Sequence, residues 1–302
     1  MPSNQTAKSQ TLAQRLSQSQ TLDTLKRLMG EPKGALGTIF ILLFVVVAFV
    51  GPSFAPYDPI ELHLQSQLAA PSEKYWLGTD ELGRDILSRI IYGARIALEA
   101  GLLAVALAAA IGVISGLLAG YLGGWADTII MRVWDTLLAF PAIFLAIGIV
   151  TIVGPGYLNA VLAVAIINIP TFARLVRATT IAVKETDFVQ AAYSVGASQW
   201  RIMFKTILPN CIAPVMVQVA IAAPAAILVE ASLSYLGLGS QPPAPSWGNM
   251  LTAAQSYLYR APTYGVWPGL AITLVVIGLN YFADGLQDAI DPRRIRAGAK
   301  MG

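Results

Sequence analysis

The sequence predicts an all-α integral membrane protein with six transmembrane helices and one polar, structured segment held at a membrane face. Three observations predict it. Of 302 residues, 56% are hydrophobic and only 12% charged, whereas a soluble domain carries about 25% charged residues. The apolar residues gather in runs of the length that crosses a hydrocarbon core, about 20 helical residues each. Between two of those runs lies 187–210, which has the length of a span yet carries Asp187, Gln190, Arg201 and Lys205.

Residues 1–33 are polar and rich in Gln, Ser and Thr, and read as a flexible cytoplasmic tail with a short amphipathic helix near "TLKRLM". The six-span body is 34–292, and 293–302 form a second cytoplasmic tail. The first apolar run lacks a small-residue cleavage site and so reads as an uncleaved span. The runs are 35–54, 94–120, 128–153, 158–178, 212–235 and 266–284. "GPGY" between the third and fourth is a tight turn that makes a hairpin. Pro141, Pro170, Pro214, Pro224 and Pro268 are kink-prone positions that membrane helices tolerate when neighbours satisfy the freed carbonyls. The fourth run is the one open to a re-entrant reading, because Pro170 interrupts it and Asn168 adds polarity.

Orientation follows from Lys and Arg near the span ends. Lys8, Arg15, Lys26, Arg27 and Lys33 precede the first span, and Arg174, Arg177, Lys184, Arg201 and Lys205 cluster over 171–211. Arg293, Arg294, Arg296 and Lys300 follow the last span. This side reads as cytoplasmic, which places 187–210 and both termini there and sends loops 51–93 and 236–265 outward. The expected location is a bacterial or archaeal plasma (inner) membrane.

Several chemistries are excluded or left without support. Cys211 and His63 are the single cysteine and the single histidine, too few for a Cys/His metal cluster, so no metal site is expected. No Gly-rich phosphate loop with its Lys-Ser/Thr occurs, so no nucleotide is expected on this chain. A net charge of +3 gives no reason to invoke nucleic acid. An intramembrane serine protease lacks a base near its serine, since His63 is outside the spans. An aspartyl site lacks facing aspartates, since Asp135 and Asp284 are near the cytoplasmic ends.

Within the spans, Gly112, Gly116 and Gly120 recur every four residues on one helix face. Small residues at that spacing let helix backbones approach closely, either within the bundle or against a second membrane subunit. Arg132 and Asp135, three apart, are placed to pair with each other. Glu99 lies early in the second span. Glu230 has no basic residue within a turn on its own helix, and is either hydrogen-bonded to a neighbouring helix or part of a conduit.

The 187–210 segment itself is patterned. Phe188, Ala191, Ala192 and Val195 have helical spacing, as do Trp200, Met203, Phe204, Ile207 and Leu208. Gly196 stands between them as a helix stop and Ser198 as an N-cap, and Pro209 ends the second unit. This is a helix-turn-helix at the membrane face. Phe188 to Gln199 contains no Lys or Arg, unlike a helix that merely lies on a membrane surface, and its small residues leave a shallow surface for another protein.

"QAAYSVGASQWRIMFKTILP" resembles the EAA motif of ABC importer permeases, in which Glu-Ala-Ala is followed by Gly and then Ile-x-Leu-Pro. Ala191, Ala192, Gly196, Leu208 and Pro209 match in register, with Ala197 beside the glycine. Gln190 replaces the usual Glu, and Thr206 stands where Ile is usual. "LGTDELGRDILSRIIYGARIAL" (77–98), "ASLSYLGLGSQPPAPSWGNML" (231–251) and "FADGLQDAIDPR" (282–293) resemble the C-type permeases of the peptide/nickel branch. The likeness covers about 35–293.

The resemblance implies a type I ABC importer permease fold, with 187–210 as the coupling loop seated on an ATPase. The implied partners are a homologous B-type permease, two ATP-binding subunits and an extracytoplasmic substrate-binding protein. The chain would be non-catalytic, with ATP and Mg bound by the partner subunits and no cofactor of its own. Di- or oligopeptides are the implied cargo, with glutathione, nickel or another peptide-like solute as alternatives. A self-contained secondary transporter or channel is the rival class, but it leaves the docking segment unexplained. The outer loop "GSQPPAPSWGN", through Pro243, Ser246 and Trp247, is expected to meet the binding protein together with the acid-rich loop 57–85.

Overall fold

A computed structural model describes residues 24–290. Among them no strand is present. α1 is Pro32–Phe49, α2 Ile86–Leu122, α3 Gly124–Leu138, α4 Ala142–Val153 and α5 Tyr157–Lys184. α6 is Asp187–Ser194, α7 Gln199–Tyr235, α8 Trp247–Gln255 and α9 Pro262–Ile290. α1, α2, α5, α7 and α9 are each long and apolar enough to cross a membrane. α3 and α4 make a sixth span only as a pair bent by 94°.

That bend falls at Pro141, one of the kink-prone positions, and the fourth run is a regular span. α5 runs unbroken through Pro170, and the Asn168 side chain donates to the Val164 carbonyl within the helix. The break falls in the third run instead, at Phe140–Pro141. Pro141 has no N–H to continue the helical ladder and keeps Phe140 out of helical geometry. The expected cytoplasmic tails lie largely outside the described residues. Residues 24–30 are helical, as read near "TLKRLM", and Leu28 is buried against Gly34 and Gly285.

The core has three parts. α2, α4, α5 and α7 pack around Ala104, Ala108, Val164 and Phe172. α1, α2, α8 and α9 close over Phe44, Ile227, Trp247 and Tyr264. The third part, around Leu117, Val176, Val189 and Ile207, ties the short helix α6 to the bundle.

The glycine series lies inside the chain, on the α2–α5 seam. A Cβ at Gly112 would come 2.5 Å from the Phe172 Cβ, and one at Gly120 2.8 Å from the Arg177 carbonyl oxygen. One at Gly116 would collide with the Ala173 backbone. The packing is within the bundle, where lipid gives no hydrophobic drive and close backbone contact supplies the attraction.

Candidate functional site

The chain has two structured ends. At the end carrying 185–207, α6 stops at a glycine turn. Gly196 has φ +76°. Its N–H donates to the Tyr193 carbonyl at 2.9 Å, and the Ala197 N–H donates to the Ala192 carbonyl at 3.1 Å. This pair of bonds is a Schellman motif, which satisfies the last carbonyls of a helix and needs a residue at positive φ. Ala192, Gly196 and Ala197 are therefore one device. A Cβ on Gly196 would meet nothing within 4 Å, so only the backbone conformation opposes a side chain there.

α6 is anchored by Val189, fully buried among Leu117, Tyr121, Val176 and Ile202. The stripe read from spacing faces the other way. Phe188 and Ala191 are exposed, and Val195 is 82% exposed. Trp200 is also exposed, its ring stacked on Phe204 at 5.1 Å between centroids. Ala192 of that stripe is half-buried against the Leu117–Val189 cluster, and among the described residues nothing covers Phe188, Ala191 and Val195. Gln190 is exposed, and its side-chain amide donates to the Lys184 carbonyl at the end of α5. A glutamate, acceptor-only when ionised, could not make that bond. Lys184 in turn donates to the Tyr121 carbonyl at 2.9 Å, which joins the α5 end to the α2 end.

The second short helix differs from expectation. Pro209 does not end it. Gln199 runs through a π-helical turn, Ile202–Ile207, into the long helix, so α7 is continuous to Tyr235. The wide turn just before Pro209 makes room for its ring, and the proline occupies the first turn of the following α segment, where its missing N–H leaves no ladder bond unmade. Leu208 is half-buried and Pro209 exposed. Ser198 takes the N-cap position with extended backbone, but its side chain makes no capping bond.

Asp135 pairs with Arg174 of α5 at 2.5 Å rather than with Arg132. Asp127 pairs with Arg177. α3 has no buried residue, so these ion pairs and the Trp134 Nε1–Ser115 Oγ bond hold it to α5 and α2. Local spacing offered Arg132 as the partner; the true partner is 39 positions away.

At the opposite end, "LGTDELGRDILSR" is a buried knot. Asp80 accepts from Arg84 Nε at 2.6 Å and lies 3.5 Å from Arg89 Nε. Arg89 Nη1 donates to the Pro59 carbonyl at 2.8 Å. Asp85 caps α2 through the Ser88 N–H and hydroxyl. Asp80 and Glu81 of this motif are thus paired with Arg84 and Asp85 is hydrogen-bonded to Ser88, while Asp58, Glu61 and Glu73 remain exposed. The expected contact surface at Ser246 and Trp247 is corrected as well. Ser246 is buried as the N-cap of α8, accepting from the Asn249 N–H, and Trp247 is buried, donating to the Ile90 carbonyl at 3.0 Å. Gly93 leaves the space that the indole fills. Of the three residues, Pro243 alone is exposed.

Glu230 is buried in the α7 helix and accepts from Ser234 Oγ at 2.7 Å. The same Ser234 oxygen accepts the Ser240 N–H at 3.0 Å. The Glu99 side chain is half-exposed and paired with Arg95 at 2.8 Å.

Five apolar helices and one bent pair, with an exposed glycine-turn unit at one end and a folded loop cap at the other, make the architecture of an integral membrane protein. Residues 112–296 match the family model described as binding-protein-dependent transport system inner membrane component. Residues 19–71 match that of the N-terminal TM domain of oligopeptide transport permease C. The chain belongs to the binding-protein-dependent inner membrane permeases, and is a multi-pass inner membrane protein. It is 44% identical to the dipeptide transport system permease protein DppC of Alkalihalophilus pseudofirmus, over 90% of this chain and 89% of the relative. It is 46% identical to the di/tripeptide transport system permease protein DppC of Pseudomonas aeruginosa, over 86% and 88%. It is 45% identical to the glutathione transport system permease protein GsiD of Pectobacterium atrosepticum, over 89% of each.

Proposed function

We propose that this chain is the C-type permease subunit of an ATP-driven importer of di- or oligopeptides, forming half of the translocation pathway. The observation that carries the reading is the unit 187–207, in which Val189, Ile202 and Ile207 anchor the glycine turn to the bundle while Phe188, Val195 and Trp200 are left exposed around it. It seats on an ATPase subunit in the cytoplasm, and the basic residues around it support cytoplasmic termini. A homologous B-type permease, two ATP-binding subunits and an extracytoplasmic binding protein complete the transporter. ATP and Mg belong to the partner subunits. Pro243 and the exposed acids Asp58, Glu61 and Glu73 supply the landing surface for the binding protein.

The peptide reading rests on the dipeptide and di/tripeptide relatives. A second reading, glutathione, is favoured by relatives of equal identity that carry that name. Purification of the tagged chain with its ATPases, followed by uptake of labelled dipeptide and glutathione in proteoliposomes, tests both. Failure of any ATPase to copurify overturns the subunit assignment, and uptake of one cargo alone decides between the two.

A further inference from the structure

A polar cavity of about 520 Å³ lies between α3 and α5, lined by Asp127, Thr128, Arg132 and Asp135 of the one and by Arg174 and Arg177 of the other. It sits toward the α6 end of the bundle, since the Arg177 carbonyl is packed on Gly120, close to where α2 stops. Both helices belong to candidate spans, α5 by itself and α3 as half of the bent pair. Ionisable side chains on a span are costly against lipid, and face the bundle interior or water. These do not turn into the core: the Arg174 and Asp135 side chains are 55% and 45% exposed. On that ground the groove is the wall of a water-filled space rather than a lipid face.

The two carboxylates of the groove are already engaged. Asp127 accepts from Arg177 Nε and Nη2, each at 2.5 Å. Asp135 accepts from Arg174 Nε at 3.2 Å and Nη2 at 2.5 Å. These pairs hold the walls in place, because α3 buries none of its own residues. Arg132 is the charge left over. It is exposed, and among the described residues no ion pair or hydrogen bond engages its guanidinium. Three guanidinium groups against two carboxylates leave the groove a net charge of +1, carried by Arg132. That side chain brings five N–H donors and no acceptor.

We propose that this cavity binds a carboxylate through Arg132, with the Asp127–Arg177 and Asp135–Arg174 pairs setting the shape of the groove and adding no net charge. A guanidinium takes a carboxylate by two parallel N–H···O bonds, a geometry that a lysine ammonium does not offer. A lipid phosphate is an anion of related chemistry, but a wall that faces water favours a dissolved one. The identity of the ligand rests on the reading that the cargo is a peptide: the group is then the cargo's free carboxy terminus, met on its passage toward the α6 end.

The test uses the intact transporter, purified in detergent, with Thr128→Cys as a reporter on the cavity wall and labelling by a thiol reagent read on this chain; Cys211 is buried. Propionate and L-Ala-L-Ala are expected to slow labelling, and L-Ala-L-Ala amide, which lacks the carboxylate, to have no effect. Adding Arg132→Gln is expected to raise the protecting concentration about tenfold, the scale of one charge-assisted hydrogen bond. Arg132→Lys, which keeps the charge without the fork, is expected to raise it less. Arg132 has no partner in the fold, so neither variant breaks a contact that holds α3. Arg260→Gln, exposed in the loop before α9, is expected to change nothing. Equal protection by the amide, or unchanged protection in Arg132→Gln, overturns the site. Protection by phosphatidylglycerol in mixed micelles but not by propionate assigns the groove to a lipid headgroup and overturns the proposal as well. Dipeptide uptake by the unmutated transporter in proteoliposomes is measured in parallel. Its absence overturns the peptide reading alone, because protection by propionate still decides the carboxylate site.

Discussion

Tyr264 donates its hydroxyl to Glu81 Oε2 at 2.6 Å, across 183 positions of sequence. The bond fastens the loop cap to the first turn of α9, and Glu81 also receives Arg84 at 3.0 Å. Tyr264→Phe removes the bond without changing the ring. It is expected to destabilise the detergent-purified protein by about 2 kcal/mol, the worth of a buried hydrogen bond to a charged group. Tyr281→Phe, exposed on the same helix, is the control. Equal melting temperatures for both variants would show that the loop cap does not depend on this contact.

Packing along the α2–α5 seam predicts a sharp contrast between glycines. Gly116→Ala drives a methyl into the Ala173 backbone. The expected cost is about 1–3 kcal/mol from overpacking, seen as a lower midpoint of thermal unfolding. Gly148→Ala in α4 meets nothing within 4 Å and is expected to be neutral or mildly stabilising. A neutral Gly116→Ala would mean that the seam is looser than the backbone distances require.

Gly196 separates local strain from contact with a partner. Gly196→Ala costs about 1 kcal/mol from its positive φ, with no clash inside the chain. Gly196→Asp adds bulk and charge on the exposed face. Both variants are expected to reach normal abundance, because the turn lies outside the spans. Uptake is expected to be lost in Gly196→Asp and reduced in Gly196→Ala, with ATPase copurification or ligand-stimulated hydrolysis falling in parallel. Intact attachment and stimulation in Gly196→Asp would make α6 a passive surface helix.

Sidedness is checked at two fully accessible positions. Tyr259→Cys, at 107% exposure in the loop before α9, is expected to react with an impermeant thiol reagent added to intact cells. Val195→Cys, beside the glycine turn, is expected to react only after permeabilisation. Cys211 is buried and does not interfere. The opposite pattern would invert the proposed orientation.

What the sequence carried depended on whether the governing interaction was local. The spans were legible because burial in lipid demands long apolar runs, and the Gly196 turn because a helix stop is written in the few residues around it. The Schellman bonds around it are made by backbone groups alone, so the positive-φ glycine is their one sequence mark. Ion pairing was not legible: Asp127 meets Arg177 across 50 positions, and no spacing rule reaches that far. Trp247 and Ser246 read as surface because they sit in a proline-rich loop; Gly93 on another helix opens the pocket that buries the indole. The π-helical turn before Pro209 escaped detection because its pattern is that of an ordinary amphipathic helix until the proline is reached.

α2 is a single unbroken run of 37 residues, capped by Asp85 in the loop knot and met at Tyr121 by Lys184 beside the short helices. At 1.5 Å per residue it spans about 55 Å, so it touches both ends of the molecule without a joint. A member of that kind transmits motion as a lever does. A rotation of about 5° at one end moves the other by about 5 Å, close to the pitch of one helical turn. The departures from regular helix are elsewhere, at the Pro141 break and the π-helical turn of α7. Movement of α2 as one body would let an event at the loop cap be felt at α6 with no residue of α2 changing its backbone angles.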